Sequence, residues 1–178
     1  MTTACQRCLF QRCLCAEVPT IATRTRVVIV RHHLERHRSS NTGRLAHLAL
    51  PNSEIVEHGG LGGVAVLPPL DGAWLLFPEG GEPALPAEPP RQLVVLDATW
   101  SQARRMFRKI AALRGLPILR LPPGPMAASR LREAPGPGMV STIEAIARAL
   151  AQLEGKGDEL DALFAVAVQR AAATGRRL

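Results

Sequence analysis

The sequence contains no apolar run that approaches the roughly 20 residues needed to span a bilayer. Residues 1–5 also lack the apolar stretch of a signal peptide. Charged residues make up 21% of the chain and hydrophobic residues 47%, a balance that excludes a disordered tail protein. We therefore expect a cytoplasmic protein with no membrane contact. Its 178 residues suffice for one domain with its own core, and we favour a monomer.

Lysine is scarce, since 20 of the 22 cationic side chains are arginines. A GC-rich genome favours arginine over lysine, but genome composition explains the clustering of these charges less well. Residues 1–50 carry a net charge of +6, residues 51–100 carry −6, and residues 101–150 carry +7. Arginine is the better bidentate ligand for phosphate. The pattern indicates that two basic segments converge on a polyanion such as nucleic acid, while the acidic segment faces elsewhere.

All four cysteines lie within eleven residues, in the spacing C-x2-C-x4-C-x-C. In a cytosolic chain this spacing indicates a metal site before it indicates disulfides. Four thiolates close a tetrahedral zinc shell and leave no position open for catalysis, so the predicted role is structural. A redox cluster and a sulfur-carrier site are the competing interpretations. The spacing predicts a zinc knuckle at residues 1–20, ahead of one larger domain at residues 21–178, with the ligands Cys5, Cys8, Cys13 and Cys15.

Short buried strands alternate with amphipathic helices along the rest of the chain. This alternation predicts an α/β fold with a mostly parallel sheet flanked by helices. A long segment rich in proline and glycine, residues 122–140, is typical of a functional or mobile loop. The predicted strands are residues 27–30, 53–58, 73–77, 93–96 and 117–121, and the predicted helices are residues 41–50, residues 100–113, and two that begin at Ser141 and Asp158.

Ligands of open α/β sheets bind at the carboxyl ends of the strands. Asp97 lies where the fourth strand stops, and a helix cap is its alternative role. Thr99 and Gln102 fit a capping box, which is a sufficient structural reason for Thr99. Trp100 belongs either to the core or to a site where its indole stacks on a base or an adenine. Four basic residues farther along the same helix are candidates for phosphate contacts or form a solvated face: Arg104, Arg105, Arg108 and Lys109.

Two further polar clusters occupy comparable positions. Ser141 and Glu144 fit a second capping box, and the same helix start offers free backbone N–H groups to a ligand. Polar residues after the first strand are candidates for the cleft that contains Asp97, although a solvated loop is the usual interpretation. These residues are Arg31, His32, Glu35, Asn41 and Arg44.

These clusters, in this order and after this cysteine cluster, resemble the DTW-domain family of tRNA-uridine aminocarboxypropyltransferases. Each motif is weak by itself, but the ordered set spans residues 5–145 and is specific. One departure is His33, where the family often has proline. The matching motifs are C-x2-C-x4-C-x-C, the H-x-x-E of His32 and Glu35, the N-T-x-R of Asn41, Thr42 and Arg44, the D-x-T-W of Asp97, Thr99 and Trp100, and the S-T-x-E-A of Ser141, Thr142, Glu144 and Ala145.

The resemblance implies transfer of the aminocarboxypropyl group of S-adenosylmethionine to N3 of a uridine in tRNA, with methylthioadenosine as by-product. It also implies a SPOUT-like fold with a knotted crossover. Asp97 is the candidate catalytic residue, either as the general base or as a residue that positions the donor. The candidates for donor binding are Thr99, Trp100, Ser141, Thr142 and Glu144. The candidates for substrate binding are His32, Glu35, Asn41, Arg44, Arg104 and Arg105.

Two other functions fit parts of the pattern. A SPOUT-type RNA methyltransferase would use the same donor and release S-adenosylhomocysteine. A zinc-knuckle RNA-binding protein without catalysis would bind no S-adenosylmethionine, but it leaves Asp97 and the loop at residues 122–140 unexplained.

Overall fold

The computed structural model describes residues 4–79, 85–122, 131 and 139–174. Five parallel strands form one sheet in the order β2-β1-β4-β3-β5. The α/β prediction is therefore confirmed, whereas the knotted crossover stays a prediction, and most of the loop predicted at residues 122–140 lies outside the described residues. The strands are β1 (Arg26–His32), β2 (Ser53–His58), β3 (Ala73–Leu76), β4 (Gln92–Asp97) and β5 (Ile118–Leu119).

Four α-helices flank the sheet, and each begins where the sequence predicts. The second ends at Lys109 rather than at residue 113, because a separate three-residue 3-10 turn, Ala111–Leu113, completes the segment. None of the helices in the described ranges is long and apolar enough to cross a bilayer. The helices are α1 (Thr42–Ala49), α2 (Trp100–Lys109), α3 (Thr142–Glu154) and α4 (Asp158–Ala172).

Two hydrophobic cores lie on opposite faces of the sheet, because successive side chains of a strand point to opposite sides. On one face, Val27 and Ile29 of β1 pack with α1, α3 and α4. On the other face, Val28 and Val30 pack with α2. The central strands β1 and β4 are thus covered on both faces, which explains their uninterrupted apolar runs.

The acidic middle segment is bound to the two basic segments rather than turned away from them. Its glutamates form ion pairs with arginines of the two basic segments, which were predicted to face a polyanion. Pairing across neighbouring strands and loops brings them together, and these three pairs neutralise part of the alternating charge within the molecule. The pairs are Arg26–Glu54, Arg31–Glu57 and Arg104–Glu79.

Candidate functional site

The four cysteines form a compact sulfur cluster. Their Sγ atoms all lie within 4.8 Å of one another, with 3.8 Å between Cys5 and Cys15 and 3.9 Å between Cys8 and Cys13. A tetrahedral Zn²⁺ with Zn–S bonds of ~2.3 Å separates its sulfurs by ~3.8 Å, close to the separations in the pairs Cys5–Cys15 and Cys8–Cys13. The cluster can therefore hold a metal ion, as the sequence spacing predicts.

Local backbone geometry builds this cluster. The N–H of Leu9 donates to the carbonyl of Cys5 at 2.7 Å, and Leu9 itself adopts a left-handed conformation with φ of 64°. Hydrogen bonds from the backbone of Cys8 and then of Arg7 lower the pKa of the Cys5 thiol to about 6, which favours the thiolate that binds a metal. Burial raises the pKa of the Cys15 thiol to about 12.

The cysteine segment packs onto the larger domain. Cys8, Phe10 and Leu14 are buried in the core shared with α1, α3 and α4. Arg170 of α4 donates to the carbonyl of Cys13 at 3.0 Å and forms an ion pair with Glu17. Loss of a metal from the cluster would therefore also disturb the packing of the main core. The domain boundary near residue 20 stays a prediction.

Asp97 ends β4 and is completely buried. Its Oδ2 accepts a hydrogen bond from Nδ2 of Asn41 at 2.5 Å, and its Oδ1 accepts one from the hydroxyl of Thr142 at 2.7 Å. Asn41 caps α1 and Thr142 is the first residue of α3. One carboxylate therefore ties the starts of two helices to the end of a strand.

A second set of contacts joins the same two helix starts. Oδ1 of Asn41 accepts from the N–H of Arg44 at 2.8 Å, which confirms Asn41 as the helix cap. The hydroxyl of Thr42 accepts from the N–H of Ile143 at 3.4 Å. Motif residues that are about a hundred positions apart in the sequence thus form one connected network.

Burial raises the pKa of Asp97, because a charged carboxyl loses its hydration there. The hydrogen bonds from Asn41 and Thr142 act in the opposite direction, as does the charge of Arg31, whereas the charge of Glu35 raises the pKa further. The surroundings therefore make Asp97 a stronger base than an exposed aspartate, although its carboxylate has no exposed surface.

Gly43 is required by this arrangement, although no sequence motif singles it out. A Cβ atom placed on Gly43 would lie 2.5 Å from Cγ and Oδ2 of Asp97. Glycine is a poor helix former, and its position in the first turn of α1 was the available signal. The carboxylate of Asp97 rests on the backbone of α1 at a point where no other side chain fits.

Gly43→Ala is expected to destabilise the protein, because the new methyl group and the buried carboxylate cannot occupy the same space. Overpacking of this kind costs about 1–3 kcal/mol. Denaturant unfolding with a fixed slope measures the loss. Gly62→Ala is the matched control, since a Cβ at Gly62 meets no atom within 4 Å. Equal unfolding midpoints for the two variants would contradict the close contact between Gly43 and Asp97.

Two arginines lie beside Asp97. Arg31 is the register partner of Asp97 on β1 and is 6% exposed; its Nε donates to Glu57 at 3.1 Å. Arg44 of α1 donates to the carbonyl of Arg36 at 2.5 Å. Among the described residues, Nη1 of Arg31 and Nε of Arg44 are buried donors with no hydrogen-bond partner. Arg31 begins the polar cluster that follows the first strand in the sequence, but no family motif assigned it a role.

The remaining candidates divide between the two faces of the sheet. Glu35 is buried and its charge acts on Asp97. Alternation along β1 sends Arg31 to the face of Asp97 and His32 to the face of α2. Arg105 lies near His32 on that second face, whereas Arg104 forms its ion pair with Glu79 at 2.5 Å.

The helix-start candidates keep their predicted capping roles. Thr99 and Gln102 form the capping box of α2, and Glu144 accepts from the N–H of Ser141 at 2.8 Å and from its hydroxyl at 2.7 Å. Trp100 is half-buried and belongs to neither hydrophobic core. The core interpretation of Trp100 therefore does not hold, and its stacking on a base or an adenine stays a prediction.

Comparison with known proteins agrees with this arrangement. The chain matches the family model described as DTW domain over residues 2–172. It is 28% identical over 187 aligned residues to the Arabidopsis thaliana protein named tRNA-uridine aminocarboxypropyltransferase A, an alignment that covers 84% of this chain and 71% of that protein. No solved structure matches the chain. Because the family model spans the cysteine cluster and every residue around Asp97, the protein belongs to the DTW domain family.

Proposed function

We propose that the protein is a tRNA-modifying transferase that moves the aminocarboxypropyl group of S-adenosylmethionine to N3 of a uridine. The observation that carries this proposal is the convergence of separate motif segments on Asp97, at the carboxyl edge of the sheet, in a member of the DTW domain family. The name of the Arabidopsis relative supports tRNA as the substrate and transfer as the reaction class.

The chemistry is an in-line displacement at carbon. The lone pair of uridine N3 forms a bond to the donor carbon attached to the sulfonium sulfur, and the broken carbon–sulfur bond leaves its electron pair on sulfur. N3 gives its proton to a water molecule, or to Asp97 in the alternative in which that residue is the general base, and methylthioadenosine leaves as a neutral thioether. Because the leaving group needs no protonation, the protein contributes chiefly by orienting the two reactants and by assisting proton removal.

The surroundings of Asp97 fit the transferred group. The aminocarboxypropyl group carries a carboxylate of its own, which needs cationic or N–H donors. Nη1 of Arg31 and Nε of Arg44 are buried donors that lack hydrogen-bond partners among the described residues. An unsatisfied buried donor costs about 1–3 kcal/mol, so a ligand carboxylate at this place would be stabilised. We assign Arg44 and Arg31 to the carboxylate of the donor, with Glu35 as the candidate for its amino group.

The other candidates line the approach to the same edge. Ser141 and Thr142 begin α3, and Thr99 and Trp100 begin α2, so both helix starts offer backbone N–H groups there. We propose that the half-buried indole of Trp100 stacks on the adenine of the donor or on the uracil, because every base has a π-face. Glu144 supports this surface through its hydrogen bonds to Ser141.

Asp97 acts by positioning in this proposal. Its carboxylate is completely buried, and each oxygen already accepts a hydrogen bond from a helix start. A general base must come within hydrogen-bond reach of N3, which this buried carboxylate does not offer to a substrate outside. Its role as general base is the alternative, and its raised pKa is the observation in favour.

Incubation with tRNA and S-adenosylmethionine is expected to yield a modified uridine and methylthioadenosine in equal amounts. Mass spectrometry of the digested nucleosides and of the small-molecule fraction measures both products. S-adenosylhomocysteine in place of methylthioadenosine would instead establish a methyltransferase. Binding of tRNA without either by-product would favour the RNA-binding protein without catalysis.

A further inference from the structure

A cavity of about 210 Å³ lies on the face of the sheet opposite Asp97, between α2 and the ends of β1 and β2. Its polar walls are His32, His58, Gln102, Arg105 and Lys109, and none of its lining residues is a carboxylate. Arg105 and Lys109 are exposed and, among the described residues, form no ion pair. The cavity therefore concentrates positive charge that the neighbouring elements leave uncompensated.

Hydrogen bonding turns the uncharged members of the wall into donors. Nδ1 of His32 accepts from the N–H of Leu34 at 3.3 Å, and Nδ1 of His58 accepts from the N–H of Ala65 at 3.2 Å. Each ring therefore keeps its proton on Nε2. Oε1 of Gln102 accepts from the N–H of Thr99 at 2.9 Å, which leaves the amide NH₂ group available. All five polar residues of the wall can then donate hydrogen bonds.

The pKa shifts of the two histidines agree with neutral rings that carry their proton on Nε2. Burial lowers the pKa of His32, and electrostatic repulsion between its protonated ring and His33, His58 and Arg105 lowers it further. Burial and then the charge of Lys109 and His33 lower the pKa of His58. The negative charge of Glu35 raises the pKa of His32, but Glu35 does not line the cavity. Both shifts favour the neutral rings, which are Nε2–H donors beside the cations Arg105 and Lys109.

We propose that this cavity binds a backbone phosphate of the RNA substrate; the inference rests on the proposed function in taking RNA as that substrate. A phosphate is acceptor-only and anionic, which matches a wall of donors and cations. The sulfonium of S-adenosylmethionine is cationic and does not match it. Arg31 and His32 leave the end of β1 on opposite faces, so an RNA strand lying across this edge can contact both the Asp97 site and the cavity.

Arg105→Ala and Lys109→Ala are each expected to weaken tRNA binding about fivefold to tenfold and to lower the slope of log Kd against log salt by about 1. Fluorescence anisotropy with labelled tRNA over a salt series, without donor, measures both quantities. Arg108→Ala is the matched control, because Arg108 is exposed on the same helix but does not line the cavity. Equal losses in the Arg105 and Arg108 variants would overturn the proposal.

Inorganic phosphate provides a second, independent measurement. Long-range ¹H–¹⁵N spectra of the histidine rings are expected to show Nε2 of His32 and His58 shifting with phosphate in the wild type and not in the Arg105→Ala variant. Phosphate shifts without any change in the salt slope for tRNA would mean a free-anion site and would overturn the assignment to RNA.

The two proposals fail separately. If the protein binds tRNA through Arg105 but forms no modified uridine, the phosphate site stands and the proposed transfer is wrong. If the protein modifies tRNA and the Arg105→Ala variant binds tRNA normally, the proposed transfer stands and the phosphate site is wrong.

Discussion

Asp97→Ala is expected to lower the rate of uridine modification by about 10²–10⁴, the range typical of losing a group that acts in the transition state or that places one there. The truncation removes both hydrogen bonds that tie α1 and α3 to β4. It leaves Asn41 and Thr142 with unsatisfied donors, at a cost of about 1–3 kcal/mol each. Initial rates by nucleoside mass spectrometry and tRNA affinity by anisotropy separate the two effects. Affinity for tRNA is expected to stay unchanged, since Asp97 is completely buried and does not contact a bound tRNA.

An exchange variant distinguishes positioning from general-base catalysis. In Asp97→Asn alone, the new NH₂ group faces either the NH₂ group of Asn41 or the hydroxyl of Thr142, so one of these two donors loses its acceptor. Combining Asp97→Asn with Asn41→Asp restores a donor and an acceptor at this contact, and aspartate is as good a helix cap as asparagine. The hydroxyl of Thr142 keeps its acceptor at position 97.

We expect the double variant to recover a substantial part of the activity that Asp97→Asn loses, because its network is complete although residue 97 carries no carboxylate. Unfolding midpoints are the companion measurement. Recovery of stability without recovery of transfer would assign the proton-accepting role to Asp97 and contradict the positioning role.

Removal of metal from the cysteine cluster is expected to have the largest effect on stability. We propose that the ion is Zn²⁺, since the sulfur separations have the size of a zinc shell. An isolated zinc-finger peptide gains about 10–16 kcal/mol from its metal. A smaller loss, of several kcal/mol, is expected here because Phe10 and Leu14 remain packed in the main core.

Chelation followed by thermal unfolding measures this loss, and elemental analysis of the purified protein is expected to find one zinc per chain. Re-addition of Zn²⁺ is the control and should restore the unfolding midpoint. Cys13→Ser tests the same ligand set at an exposed position, where a change in packing contributes little. A protein that purifies without metal and unfolds at the same temperature with and without chelator would contradict the structural metal.

Local features of the structure follow directly from local sequence. The β-branched run of β1 forms a strand covered on both faces, and the capping box of Thr99 and Gln102 begins α2 where the sequence predicts. The spacing of the four cysteines brings their sulfurs together within a single short segment. Each of these features depends on residues that are close in the chain, so pattern and backbone geometry suffice to predict it.

The composition of the site depends on contacts between distant segments. Strand alternation predicts that Arg31 and His32 point to opposite faces, but it does not say which of them shares a face with Asp97. That choice depends on the register between β1 and β4, where Arg31 is paired with Asp97. Register is set by how two buried strands pack their side chains into the cores on both sides, and a shift of one residue would reverse the assignment.

The sequence by itself determined the α/β class, the metal-binding spacing, the helix caps and the motif residues of the DTW domain family. Only the tertiary structure decided that Asp97 is buried under Gly43, that Arg31 joins it, and that His32 and Arg105 form a separate cationic cavity. The physical reason is that the polar groups of caps and turns form their hydrogen bonds with neighbours in the chain. The burial and partners of a charged side chain are set instead by segments many residues away, which meet only when the sheet and its helices have packed.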